Sequence, residues 1–285
     1  MPHSPRPSAK PVPWQLQVFR VSVRKREKWS WVTRALRDHG LPRGQCLDIG
    51  CGVGTLSILL EKAGGAWTFL EPEREAAAEA AKILRGSVRT ELLHAAGFPA
   101  ASFALVTAFD VLEHVPDPTA LLTEIARVLE PGGFFLATTP AAGEGNYLWR
   151  SLGERAFGIT KESHGHVVEG FSKQALQPLL RDVGLHATVL EPFSKFFTEA
   201  VELAYNGAYF LNNARRQQTT GYNLALSPAS SADVRRHAWA FPLLRVAAPF
   251  LRGISLLDGV LPLGPGYEYG IVAMKPYAGR APGNE

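Results

Sequence analysis

The stretch Cys46-Leu-Asp-Ile-Gly-Cys-Gly-Val-Gly54 sets three glycines directly after a short apolar run and directly before Thr55–Lys62, which reads as a helix. Glycines at such a junction permit a tight turn and let the backbone approach a ligand closely. The spacing of Gly50, Gly52 and Gly54 is G-x-G-x-G, because Thr55 and Leu56 follow, and not the G-x-G-x-x-G of dinucleotide binders. Asp48 precedes the first glycine. Its carboxylate would repel a pyrophosphate, whereas the sulfonium and amino group of S-adenosylmethionine are positive, so the acid favours that cofactor over a nicotinamide.

Working outward, Gln45–Gly50 and Ala66–Glu71 read as strands. Glu71 closes the second, about 20 residues beyond the loop, where a carboxylate accepts hydrogen bonds from ribose hydroxyls. Trp14–His39 reads as one helix ended by Gly40 and Pro42, and Glu73–Leu84 as another, rich in Ala and Glu. Val88–His94 and Phe103–Phe109 have strand character. Pro118–Leu129 is a helix stopped by Pro131-Gly-Gly133, and Phe134–Thr139 returns as strand. Ser172–Val183 is a helix with Ser172 as N-cap, and His186–Leu190 and Tyr267–Lys275 complete the strands. This alternation predicts an α/β, doubly wound, mostly parallel seven-stranded sheet. The expected domain spans residues 14–275, between disordered tails at 1–13 and 276–285. Inside it lies an insertion at 193–263, with helices over Phe196–Asn212 and Ala232–Leu257, that the sheet does not require.

Composition bounds the rest. The 285 residues are 46% hydrophobic and 20% charged, enough for a full core, and the net charge of +4 is too mild to argue for nucleic acid. Cys46 and Cys51 offer neither a disulfide framework nor zinc spacing, so a reduced, cytoplasmic setting is expected. No stretch reaches the roughly 18 apolar residues of a membrane span. Arg20, Arg24, Lys25, Arg26 and Lys28 crowd one N-terminal stretch, which reads as a solvated helix face or as a surface for anionic lipid.

Residues 45–186 resemble the class I S-adenosylmethionine-dependent methyltransferases, and among them the quinone-biosynthesis O-methyltransferase type. The resemblance rests on Leu47-Asp-Ile-Gly-Cys-Gly52, Asp110-Val-Leu-Glu-His-Val-Pro-Asp117, Leu129-Glu-Pro-Gly-Gly133 and His166 through Phe171-Ser172. It implies a Rossmann-like methyltransferase fold. It places Asp48, Gly50, Gly52 and Gly54 at the methionine end of the cofactor, Glu71 at its ribose, and Ala108 and Phe109 where cofactor and acceptor meet. His94 stands where the family often has an aspartate on the adenine, and Ala104 where it commonly has Asp.

Methyl transfer is a displacement at carbon, in which alignment alone can supply about 7–11 kcal/mol. A base matters only where a hydroxyl must lose its proton. His166 and His114 are the candidates, the first on a loop and the second beside the fourth strand. Asp110 and Glu113, three residues apart on a helical turn with His114 next to them, would share a face that suits Mg2+. The Glu-His pair also stands in metal-free methyltransferases, so no metal is assigned. The insertion interleaves Trp239, Phe241 and Phe250 with Arg235, Arg236, Arg245 and Arg252, which reads as a substrate cap or as a membrane-facing helix.

The sequence therefore leads to O-methylation of a small-molecule or lipid-linked acceptor of quinone or polyketide type, with peripheral membrane contact as a second expectation and no nucleic acid as partner. Its rivals are methylation of sugar hydroxyls on a glycolipid or polysaccharide, a non-catalytic scaffold of the same fold, and a nicotinamide dehydrogenase.

Overall fold

A computed structural model describes residues 12–142, 167–204, 231–236, 239–261 and 266–277, with isolated positions at 152, 155 and 263. Of the expected tails at 1–13 and 276–285, residues 1–11 and 278–285 lie outside the described residues, as does His166.

The chain opens with α1 (Trp14–Val21) and α2 (Val23–Asp38). This corrects the single helix expected over 14–39. Ser22 takes an extended conformation, and its hydroxyl accepts from the Lys25 amide at 3.2 Å, so it caps a second helix instead of continuing the first. There follow β1 (Gln45–Ile49), α3 (Ser57–Ala63), β2 (Ala66–Leu70), α4 (Arg74–Ala81), β3 (Ser87–Arg89), β4 (Phe103–Phe109), α5 (Pro118–Val128), β5 (Leu129–Pro140), α6 (Lys173–Asp182) and β6 (His186–Phe193). A helix over 196–204, α8 aside from it at Ser231–Arg236, and α9 (Ala240–Ser255) belong to the insertion; we number the first of these α7. The chain returns through β7 (Glu268–Met274).

The seven strands lie in the order β3-β2-β1-β4-β5-β7-β6. Pairings among β1 to β5 are parallel, and β7 runs antiparallel to both β5 and β6. The sheet is the doubly wound, mostly parallel one expected. Its strand order reverses between β1 and β4, which opens a crevice beyond their carboxyl ends.

Two strands depart from expectation. β3 is cut to three residues, because the Arg89 guanidinium donates to the Ala96 carbonyl at 2.8 Å and lies over the Phe98 ring, folding the chain back. His94 consequently sits on a short 3-10 turn, Leu93–Ala95. β5 begins earlier than expected: Leu129 pairs with Phe103 before the Pro131-Gly-Gly133 bend, and the register shifts past it. The glycines bend a strand that has already begun.

Both faces of the sheet are packed. Leu47, Val106, Phe135 and Ile271 point to the side of α5 and α6, while Cys46, Phe69, Leu105 and Val272 point to the side of α2, α3 and α4. α2 is seated on β7 through Trp31, whose indole N–H donates to Glu191 at 2.7 Å. A Cβ on Gly270 would stand 2.2 Å from Trp31 Cε2, so the strand is open there to admit the ring. Gly270→Ala is expected to displace Trp31 and cost about 1–3 kcal/mol as overpacking does, measured by denaturant unfolding.

Candidate active site

A cavity of about 710 Å3 opens beyond the carboxyl ends of β1 and β2. The crevice rule puts it there, and the glycine turn keeps it open. Gly50 and Gly52 both have left-handed φ, at 71° and 53°. A Cβ on Gly50 would stand 2.6 Å from Val111, whereas one on Gly52 would meet nothing within 4 Å, so the backbone at Gly52 faces free space. Gly54 serves packing: its neighbours are Ala80 and Ile83 of the α4 region.

Glu71 is the acid that faces the cavity. Its two carboxylate oxygens accept from the Gly52 amide at 2.7 Å and from the Glu73 amide at 3.0 Å. Those bonds fix the side chain and leave lone pairs for ribose hydroxyls. His94 and His114 line the same cavity, as do Asp110 and Val111. Among the described residues the charged side chains of the lining are all acidic, namely Glu71, Glu91, Asp110, Asp117 and Glu124.

Asp48 lies elsewhere than the charge argument placed it. Its carboxylate is buried under the loop, where it accepts from the Ser57 hydroxyl at 2.7 Å and the Thr107 hydroxyl at 2.6 Å. Burial pushes it up to about 6 against those two hydrogen bonds. Strand alternation turns residue 48 toward α3, so Asp48 ties β1, β4 and the first turn of α3 together and does not line the cavity. Ala108 is fully buried by the same alternation. Phe109 packs on the α2 face of the sheet. The structure thus brings Gly50, Glu71, His94, Asp110 and His114 together at the cavity, and sets Asp48, Gly54, Ala108 and Phe109 behind it. Three of the lining acids are paired outward, Asp110 with Lys28, Glu91 with Arg89 and Glu124 with Arg127.

The sequence reading missed Lys28. It reaches from α2, buried, and its ammonium pairs with Asp110 and, at 3.0 Å, with Glu268 of β7. Burial works against the charge, but Asp110 and Glu268 outweigh it and hold Lys28 above its ordinary value. Arg24, one turn earlier, pairs with Glu199 of α7 at 2.7 Å. The basic cluster is therefore not one solvated or lipid-facing surface: Arg24 and Lys28 turn inward, while Arg20 and Arg37 remain exposed. A basic residue recurring every fourth position was the available signal, and it fits an outward face equally well until partners are known.

Glu113 is fully buried beside this pair, with the Thr139 hydroxyl donating to it at 3.1 Å. Burial, and next the negative charge of Asp110, push it up to about 8. The oxygens of Asp110 already accept from Lys28 and from the Thr138 hydroxyl at 2.8 Å. Asp110, Glu113 and His114 therefore do not fit a Mg2+ site, since the carboxylate oxygens such an ion needs are engaged or protonated. Among the described residues no cluster of metal-ligating side chains occurs. None of the described residues of the insertion lines the cavity.

Because Glu113 holds its proton in the folded chain well above its ordinary 4.5, the native state binds more protons than the unfolded one between pH about 4.5 and about 8. Its contribution to stability therefore falls as pH rises through that window and is flat beyond it. Glu113→Gln is expected to flatten that part of the profile, read as melting temperature against pH.

Residues 22–189 match the family described as Methyltransferase domain. A ubiquinone biosynthesis O-methyltransferase of Xanthomonas oryzae pv. oryzae (strain PXO99A) is 38% identical over 116 residues, covering 36% of this chain and 47% of that protein. One of Aromatoleum aromaticum (strain DSM 19018 / LMG 30748 / EbN1) is 32% identical over 123 residues, covering 41% and 53%. The chain thus spans about half the length of the curated relatives it matches. The geranyl diphosphate C-methyltransferase of Streptomyces coelicolor A3(2) shares the fold at a TM-score of 0.51 and 13% identity, over 86% of this chain and 76% of that one. The [4+2]-cyclase SpnF does so at 0.53 and 18%, over 87% and 81%, so the fold alone does not name the chemistry. With the family match running from the cap of α2 through β6, and the glycine turn, Glu71 and the acidic crevice all inside it, the chain belongs to the class I S-adenosylmethionine-dependent methyltransferase family.

Proposed function

We propose that this protein transfers a methyl group from S-adenosylmethionine to a hydroxyl of a small, lipid-like acceptor of quinone or polyketide type. The observation that carries the reading is the cavity itself, acid-lined yet built mostly from apolar side chains such as Ile49, Leu70, Leu93, Val111 and Leu121. Such a lining suits a cationic cofactor and an apolar acceptor together. The curated relatives named for ubiquinone biosynthesis support the acceptor class.

The cofactor supplies an electrophilic methyl group on a positively charged sulfur. Glu71 would hold its ribose, the open backbone at Gly52 its methionine end, and Leu93 with His94 its adenine. His114, which lines the cavity, would take the hydroxyl proton, and His166 is the second candidate for that step. Closing the site around aligned reactants supplies most of the barrier reduction, with the base adding about 10²–10⁴-fold.

Access from a bilayer is part of the same reading. α9 buries Phe241 and Ala248 against α1 and α2, and turns Leu243, Val246 and Phe250 outward at 67%, 79% and 72% exposure. Arg245 and Arg252 flank that strip and are exposed. An apolar strip with basic flanks is the pair of signals that attachment to an anionic surface requires. Among the described residues no helix is long and apolar enough to cross a membrane, so the contact would be peripheral.

Incubation with methyl-labelled cofactor and a cell extract, followed by mass spectrometry, is expected to place label on a phenolic or enolic oxygen of a lipid-soluble product. Label on sugars would replace this acceptor with a glycolipid or polysaccharide. Cofactor bound without any transfer would make the protein a non-catalytic member of the fold. Glu71→Ala should weaken cofactor binding by calorimetry about 10–100-fold, the worth of a charged hydrogen bond. In co-sedimentation the protein should bind vesicles containing anionic lipid, and Val246→Asp with Phe250→Asp should abolish that. Equal recovery of both proteins in the supernatant would remove the bilayer from the reading.

A further inference from the structure

Asp110 and Glu113 lie three residues apart at the end of β4, a pattern that by itself invites a divalent cation. The structure puts a cation there, but it is the protein's own. Lys28 Nζ pairs with Asp110 Oδ2 and lies 3.0 Å from Glu268 Oε2. The Lys28 side chain is 5% exposed and that of Glu268 3%. Three carboxyl groups thus converge, Asp110 and Glu113 from the turn after β4 and Glu268 from the start of β7, and each is close enough to Lys28 to feel its charge. Among the described residues the Thr138 and Thr139 hydroxyls donate to Asp110 and Glu113, Arg24 and Lys25 on α2 bear on Glu268 and Asp110, and Glu27 and Glu199 lie close enough to Glu268 to repel it. Lys28 and Thr138 engage both oxygens of Asp110, Thr139 engages one oxygen of Glu113, and an added dication would be repelled by the ammonium at short range.

We infer that Lys28 is the built-in cation of this site: it takes the place a divalent metal would occupy between Asp110 and Glu268, and holds Asp110 against the cavity wall without one. Asp110 needs such a hold, because it adopts a left-handed φ of 56° without being glycine. Lys28 is a positioning residue in this scheme, acting through Asp110 and not on the acceptor. The scheme also makes α2, which precedes the glycine loop by some turns of chain, part of the site. It is independent of which acceptor is methylated, so it stands or falls separately from the reaction proposed above.

The test is a Mn2+ titration of the full chain after chelator treatment, followed by calorimetry and by melting temperature. The wild-type protein is expected to bind no Mn2+ up to millimolar concentration and to melt unchanged. Lys28→Met leaves the carboxylates uncompensated, and should melt lower, bind one Mn2+ and regain several degrees when it does. Lys28→Arg keeps the charge and should stay insensitive. One equivalent of Mn2+ bound by the wild type and lost in Asp110→Asn would overturn the inference, as would a folded Lys28→Met that ignores Mn2+. If Lys28→Met does not fold, the wild type and Lys28→Arg still decide: a Mn2+ site in either overturns the inference, and none in both upholds it.

Discussion

A charge taken out of water must be paired, and in this protein that constraint falls on the ammonium of Lys28. Its partners, Asp110 and Glu268, sit at the end of β4 and the start of β7, so satisfying one side chain fixes α2 against two strands that are remote in sequence. Arg24 extends the constraint to the insertion. Glu199 takes the guanidinium, and the Ser22 hydroxyl donates to Glu202 at 3.2 Å. Asp258 in turn accepts from the Phe197 and Thr198 amides at 2.8 and 2.9 Å, capping α7 from the far end of the insertion. These ion pairs act with apolar packing, in which Trp31 and Val32 of α2 lie on the sheet and Val18 and Val21 of α1 lie against Phe241, to hold the N-terminal helices and the insertion in place.

The crevice depends on a second, simpler constraint. A parallel sheet whose order reverses between β1 and β4 leaves a gap where the helices on the two sides part. The turn at Gly50–Gly52 lowers the rim of that gap, and Glu71, held by two backbone amides, stands over it. Asp48 is a structural member of the same turn. Its two hydroxyl partners compensate a buried carboxyl and lock the turn's position relative to β4. What faces the cavity and what holds the loop are different acids, on the adjacent strands β2 and β1.

The alternation of strands and helices, the glycine turn and the strand-end acid are local patterns, and they were legible because backbone propensity and the period of apolar residues act over a few residues. Phe103–Phe109 appears as a strand with the bounds its apolar run sets. The helix break at Ser22 was equally local in cause, a cap that competes with continuation, and it is the Ser22 hydroxyl on the Lys25 amide that tips the balance. The shortened β3 was not local, because the Arg89 contacts that end it run to Ala96 and Phe98.

Sequence by itself therefore determined the family, the glycine turn at Gly50–Gly54 and the strand-end position of Glu71, since each follows from residue type and short spacing. Tertiary structure alone decided which acids face the cavity: Asp48, inside β1, is turned under the loop onto Ser57 and Thr107, whereas Glu71 and Asp110, just past the ends of β2 and β4, line it. It alone decided that Arg24 and Lys28 turn inward while Arg20 faces water, because a helix face acquires its meaning only from what packs against it. The partners that settle the matter, Glu199 and Glu268, lie more than 150 residues further along the chain, beyond the reach of any pattern in the sequence around α2.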